Sequence, residues 1–268
     1  MFFPTFAPIV KKPVKISAVI ITFNEEKNIG RCLESLKDVA DEIVVVDSFS
    51  TDGTEAICKE YGVRFIPHKF DGHIEQKNWA RQQATYPYVL SLDADEALDD
   101  TLRESILAIK VNWEHDGYKM NRLTNYCGKW IHHTGWYPDT KLRLWHNDKG
   151  HWTGENPHDE FKLFDEKASI GHIKGDILHY SYHHPEDHDK QIEYFTNIAA
   201  KAFVDKGKKP FFMQAYLSAF LKFIKCYFIK LGFLDGKEGW IISRKSSYAA
   251  WLKYHKINRL LRDDHQSE

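Results

Sequence analysis

Tyr88-Val-Leu-Ser-Leu-Asp-Ala-Asp-Glu96 is an apolar run that stops in two carboxylates, Asp93 and Asp95, one alanine apart. The run reads as a strand buried on both faces, the kind that belongs to a parallel sheet. Its acids then lie at the carboxyl end, where open α/β sheets bind their ligands. On the loop that follows they can divide the work, one accepting a sugar hydroxyl and the other holding a divalent metal through hard oxygen. Asp-x-Asp alone also describes a solvated acidic turn; its position after an apolar strand favours chemistry.

Working outward, residues 16–22 (Ile-Ser-Ala-Val-Ile-Ile-Thr) predict a strand, then the loop Phe23-Asn24-Glu25-Glu26. A helix follows with Ile29, Cys32, Leu33 and Leu36 on one face and Asn24 as N-cap. Residues 42–47 predict a second strand ending in Asp47, and Asp52-Gly53-Thr54 opens a second helix that closes near Gly62. A short strand over 63–66, a helix over 74–85 and the opening strand complete the alternation. A helix over 98–111 and strands over 117–126 and 140–146 come next. The expected class is α/β, a doubly wound, mostly parallel sheet with right-handed crossovers and a C-terminal helical extension. Residues 1–15, with three prolines, form an extended lead-in; 16–184 form the main domain and 185–268 the helical extension.

A chain of 268 residues with 43% hydrophobic content can bury a large core. Lysine plus arginine (37) nearly equals aspartate plus glutamate (38), so no overall basic field points to nucleic acid as a partner. Cys32, Cys58, Cys127 and Cys226 show no C-x-x-C spacing and no signal segment precedes them, which predicts reduced thiols in the cytoplasm. Residues 210–234 are rich in aromatics and interrupted by Lys222, Lys225 and Lys230. Three lysines make a poor membrane span but a fair interfacial helix, whose lysine stems snorkel while Phe, Tyr and Leu enter the headgroup boundary. A core helix packed on the main domain is the alternative.

Three successive strands end in polar groups: Thr22 with Asn24 and Glu25, then Asp47, then Asp93 with Asp95. A doubly wound sheet gathers those ends on one edge, where a nucleotide can lie across them. The chain contains neither G-x-G-x-x-G nor G-x-x-x-x-G-K-[ST], so another group must neutralise phosphate. A metal on Asp95 would do so, which argues for a nucleoside diphosphate as the bound group.

Val19-Ile-Ile-Thr-Phe-Asn-Glu-Glu26, Val44-Val-Val-Asp-Ser-Phe-Ser-Thr-Asp-Gly-Thr54, Gln76-Lys-Asn-Trp-Ala80 and Leu90-Ser-Leu-Asp-Ala-Asp-Glu96 together resemble the inverting family 2 glycosyltransferases of GT-A fold. Gly154-Glu-Asn-Pro-His-Asp-Glu160, Ile177-Leu-His-Tyr-Ser-Tyr182 and Gly232-Phe-Leu-Asp-Gly236 resemble the bacterial lipopolysaccharide-core glucosyltransferases. The resemblance implies a GT-A nucleotide-diphospho-sugar transferase fold and a nucleoside-diphosphate sugar, UDP-linked, as donor. A glycan or lipid-linked acceptor would be met at the inner face of the cytoplasmic membrane. It assigns Thr22, Asn24, Glu25 and Asp47 to base and ribose, Lys77 to base or diphosphate, and Asp93 to ribose hydroxyls. Asp95 would hold Mg²⁺ or Mn²⁺, with His179 as a further metal ligand. Inversion needs a general base for the acceptor hydroxyl; His158-Asp159-Glu160 offers Asp159, which the resemblance favours, and Glu160. Two other readings compete. A sugar nucleotidyltransferase would want a Gly-rich, Arg-bearing loop where Phe23-Asn24-Glu25-Glu26 stands, and a non-catalytic sugar-nucleotide module would not need an intact base.

Overall fold

The computed structural model describes residues 12–155 and 158–265; most of the expected lead-in, residues 1–11, lies outside them, as do Asn156 and Pro157. The chain divides into two compact units: residues up to 122 with 140–179, and residues 123–139 with those from 180 onward. The segment 123–139 thus groups with the C-terminal residues.

The sheet runs in the order β3-β2-β1-β4-β8-β6-β11-β5. Its parallel core is β3 (Arg64–Pro67), β2 (Glu42–Asp47), β1 (Ile16–Thr22) and β4 (Tyr88–Asp93). β1, β2 and β4 are Val/Ile/Leu-rich because helices cover both faces. On one side Ile16, Ala18, Ile20 and Leu90 pack with Ile29, Cys32, Leu33 and Leu36 of α1 (Ile29–Leu36). On the other, Val19, Val44 and Val46 pack with Ala80 of α3 (His73–Gln82). The helix α2 (Thr54–Glu60) adds Cys58, and α4 (Asp100–Val111) adds Leu102 and Ile106, to the first core.

Register decides what reaches the sheet edge. Thr22 lies opposite Asp47 and Ile21 opposite Asp93, so the three polar strand ends arrive together. Past Asp93 the chain turns and forms β5 (Glu96–Leu98), three residues that read as part of a turn and helix in the sequence. β5 pairs antiparallel with β11 (Ile170–Tyr182), setting His179 opposite Glu96. Gly175 lets β11 pass close to the start of α4: its φ is +96°, and a Cβ there would sit 2.2 Å from Leu102 N. β6 (Gly117–Tyr126) and β8 (Asp139–His146) complete the path, β8 antiparallel to β4. A separate hairpin, β9 (Gly150–Glu155) with β10 (His158–Leu163), pairs Asp159 with Gly154. It seats Trp152 and Phe161 against Trp145, whose ring stacks on Phe161 at 3.6 Å.

The second unit carries β7 (Lys129–Trp130), α5 (Pro185–Asp205), α6 (Gln214–Ile224) and α7 (Gly236–His265). Ala200, Ala215, Tyr254 and Ile257 form one apolar cluster; Tyr126, Ile131, Tyr182 and Ile242 form another. Residues 210–234 are not one helix. α6 ends in a π-helical turn, Lys225–Ile229, and left-handed backbone at Leu231 (φ 55°) and Gly236 (φ 66°) brackets a 3₁₀ turn, Gly232–Asp235. Asp235 explains that turn: its buried carboxylate accepts the backbone N–H groups of His132 and His133 and contacts His133 Nδ1 at 2.9 Å. The Gly232-Phe-Leu-Asp-Gly236 motif therefore has a local structural job, closing a loop onto the start of α7.

Candidate active site

Asp93, at the end of β4, is the centre of the cluster. Lys77 Nζ, on the buried face of α3, lies 2.9 Å from Asp93 Oδ1 and 2.8 Å from Asp159 Oδ2. One ammonium thus links the strand-end acid to an acid of the hairpin. The same Nζ stands 4.6 Å from the centroid of the Trp152 ring, a cation–π contact in a desolvated setting. Arg143, from the interior of β8, reaches Asp93 Oδ2 at 3.3 Å and Glu96 Oε1 at 2.9 Å. Burial pushes the Asp93 pKa up, but Lys77 and Arg143 outweigh burial and hold it well below the usual carboxylate range.

Glu96 is fully buried and locks the Asp-x-Asp turn. It accepts the Asp93 N–H at 2.9 Å and meets both Arg143 and Arg122, the latter at 3.2 Å. A buried carboxylate with three such partners fixes the loop and is costly to disturb. Asp95 leaves that cluster for another: its Oδ2 lies 3.1 Å from His179 Nε2. The β5–β11 register makes this contact, since His179 faces the residue after Asp95. Burial raises the Asp95 pKa, yet the His179 charge and hydrogen bond overcome it and leave the acid below its ordinary value.

The remaining sequence-assigned residues line the ends of β1 and β2. Thr22 Oγ1 is buried with no hydrogen-bond partner among the described residues. Asn24 does not cap α1; its backbone is left-handed (φ 54°), which places its Oδ1 to accept the Thr51 N–H at 2.8 Å. Residue 28 occupies the position before α1 instead. Glu25 accepts from Asn28, and burial raises its pKa to about 7, with Asp95 and Asp52 adding to the rise. Asp47 is buried and accepts both the N–H and the hydroxyl of Ser50, at 2.8 and 2.5 Å. Four lone-pair directions on a carboxylate leave it capacity for a further donor. The two acids of the hairpin part company: Asp159 is drawn onto Lys77, whereas exposed Glu160 pairs with Lys162 at 2.8 Å.

A family model, Glycosyl transferase family 2, matches residues 17–164. The chain belongs to that family. Over 258 residues it is 31% identical to the lipopolysaccharide core biosynthesis glycosyltransferase LpsC of Rhizobium meliloti, covering 90% of this chain and 91% of that one. An uncharacterized glycosyltransferase of Rickettsia typhi is 30% identical over 256 residues, 92% of this chain and 87% of the relative. Among solved structures, residues 1–349 of S. aureus TarS align over 95% of this chain and 92% of theirs, at 17% identity and a TM-score of 0.44, too distant to bear on function. The fold of the first unit is the GT-A fold, and the activity of this family is glycosyl transfer.

Three residues of this cluster were not assigned from sequence: Glu96, Arg143 and Trp152. Glu96 was visible as the third acid of Asp-Ala-Asp-Glu, and Arg143 as a charge inside the apolar Leu142–Trp145 stretch. Nothing local to Trp152 announces its contact with Lys77, which depends on how the hairpin folds back.

Among the described residues no group of three or more His, Cys, Asp and Glu side chains could by itself hold a metal ion. Asp95 and His179 nevertheless offer donor types that a divalent ion takes, an anionic oxygen and an imidazole nitrogen, 3.1 Å from each other. Such an ion usually keeps part of its shell for phosphate and water.

Proposed function

We propose that the protein is an inverting glycosyltransferase that moves a sugar from a UDP-linked donor to a lipid-linked or lipopolysaccharide glycan. The observation that carries this reading is the convergence of Asp93 and Asp159 on Lys77, beside the Asp95–His179 pair. Thr22, Asn24, Glu25 and Asp47 line the ends of β1 and β2, where the base and ribose would lie, with Asp93 accepting from ribose hydroxyls. Asp95 and His179 would hold Mg²⁺ or Mn²⁺, which would supply positive charge to the departing diphosphate.

Asp159 takes the proton of the acceptor hydroxyl as that oxygen attacks the anomeric carbon. The bond from that carbon to the diphosphate oxygen breaks, its electron pair leaves with the nucleoside diphosphate, and configuration inverts. Lys77 holds Asp159 in place, which favours it over Glu160 as the base. The acceptor class draws support from the likeness to LpsC, a lipopolysaccharide core biosynthesis glycosyltransferase.

We place the enzyme at the inner face of the cytoplasmic membrane. No helix among the described residues is long and apolar enough to cross a membrane. The second unit instead presents Phe212 (94% exposed), Tyr216, Phe220 and Ile229, interspersed with Lys222, Lys225 and Lys230. That pairing of exposed aromatics with lysine suits an anionic lipid surface. Incubating the purified protein with UDP- and GDP-sugars, with and without Mn²⁺, tests the donor assignment. Metal-dependent turnover of a UDP-sugar is expected, and turnover of GDP-sugars alone would overturn it.

A further inference from the structure

Phe49 stands where the fold has no use for its ring. It lies two residues past the end of β2, in the loop Asp47-Ser48-Phe49-Ser50, and its backbone is left-handed (φ 62°). Glycine adopts that conformation freely, whereas a bulky side chain there is strained. Asn24 is also left-handed, but its side chain uses the conformation to accept the Thr51 N–H. A phenyl ring forms no such bond.

The backbone on either side of Phe49 is fastened. The Ser48 N–H donates to the Thr22 carbonyl at 2.9 Å, and the Ser48 hydroxyl accepts from the Gln76 amide at 3.2 Å. Ser50 donates its N–H and hydroxyl to Asp47, and its hydroxyl oxygen accepts the Asn24 N–H at 2.8 Å. These bonds hold the strained residue from outside, and none of them involves its side chain. The ring is 60% exposed, belongs to neither hydrophobic cluster of the first unit and meets no other aromatic ring among the described residues. Glycine would make the same loop with less strain. A single exposed apolar side chain is ordinary; one that its neighbours hold in a strained backbone points to a ligand for the ring.

The position of the loop indicates which ligand. Buried Asp47 is the register partner of Thr22, at the edge where the base and ribose of the donor are assigned above. A carboxylate there can accept from the edge of a planar base, and a phenyl ring on the same loop can cover its face. We propose that Phe49 is the face on which the nucleobase of the donor stacks. The inference rests on the nucleotide-sugar reading above and adds the residue that holds the base by its ring. Phe23, next to Thr22, is exposed as well (57%) but is not among the residues with positive φ, so the strain argument singles out Phe49.

Titration of UDP, and of pyrophosphate as a probe without a base, into full-length protein at saturating Mn²⁺ tests this. Phe49→Gly should bind UDP about tenfold or more weakly, the scale of a lost base–aromatic stack. It should bind pyrophosphate as the wild type does and melt at about the wild-type temperature, because glycine relieves the left-handed backbone. Phe49→Tyr keeps a ring and should keep the affinity for UDP. Unchanged UDP binding in Phe49→Gly, or an equal loss for pyrophosphate, would overturn the stacking role, as would a loss confined to Phe23→Ala. A melting temperature far below that of the wild type would make the ring a structural one and overturn the proposal too. Absence of UDP binding in the wild type would instead overturn the donor reading on which the proposal rests.

Discussion

The two units treat large apolar side chains in opposite ways. In the first, Trp145, Leu90, Ile20 and Met120 are completely buried, and the polar strand ends are concentrated on one edge of the sheet. In the second, Phe211, Phe212, Tyr216, Phe220, Phe228 and Ile229 are exposed, although the same unit has its own clusters around Tyr254 and Tyr126. A monomeric soluble surface rarely leaves so many adjacent aromatics in water. The first unit uses hydrophobicity to hold its polar strand ends in place; the second leaves part of it exposed.

The contrast is most sharply probed by truncating an aromatic in each unit. Trp145→Ala should cost about 3–5 kcal/mol of stability, because it empties a packed site against Phe161 and Trp152. Phe212→Ala should change stability by less than about 0.5 kcal/mol, as an exposed substitution does. Chemical denaturation of both variants checks this, and a large loss in Phe212→Ala would show that the exposed face is a core in solution. A smaller effect separates membrane contact from fold. Replacing Lys222, Lys225 and Lys230 by glutamate should weaken binding to anionic vesicles by roughly 10²-fold, at about 1 kcal/mol for each lysine, with thermal stability retained. Equal vesicle binding by wild type and variant in a flotation assay would remove the membrane from the account.

Within the first unit, Asp159→Asn should lower kcat by roughly 10²-fold with donor affinity little changed, the scale of a lost general base. A mild Asp159→Asn effect beside a damaging Glu160→Gln would move the base one residue along. The smallest effect concerns pH. Folded Glu25 keeps its proton up to about 7, whereas the unfolded chain releases it near 4.5, so the native state holds more protons between those values. Its contribution to stability is therefore full below about pH 4.5 and falls as pH rises to about 7. In metal-free protein Glu25→Gln should remove that fall, which denaturation at about pH 5 and about pH 8 would reveal.

How much of this was legible in the sequence follows from how local each signal is. β1, β2, β4 and β6 have the expected bounds; β1, β2 and β4 are apolar runs ended by a polar group. The β9–β10 hairpin and most of β11 were missed. Gly150-His-Trp-Thr-Gly-Glu155 mixes glycine and polar residues, so neither an apolar run nor an alternation marks it, and it pairs with β10. The Asn24 cap failed because its side chain found Thr51, 27 residues on, rather than the helix beside it. The strand-end acids were readable as a set, since a parallel register brings them to one edge. The Lys77–Asp159 bond, spanning 82 residues, was not, because it depends on the hairpin that the pattern did not announce.

The central claim is that the edge formed by β1, β2 and β4 binds a nucleoside diphosphate through a divalent ion held at Asp95 and His179. Titrating UDP into wild type and Asp95→Asn, each with and without Mn²⁺, measures this directly. Mn²⁺ should strengthen UDP binding in the wild type and have no effect in the variant, while both proteins melt cooperatively. Metal-enhanced UDP binding that persists in Asp95→Asn would contradict it.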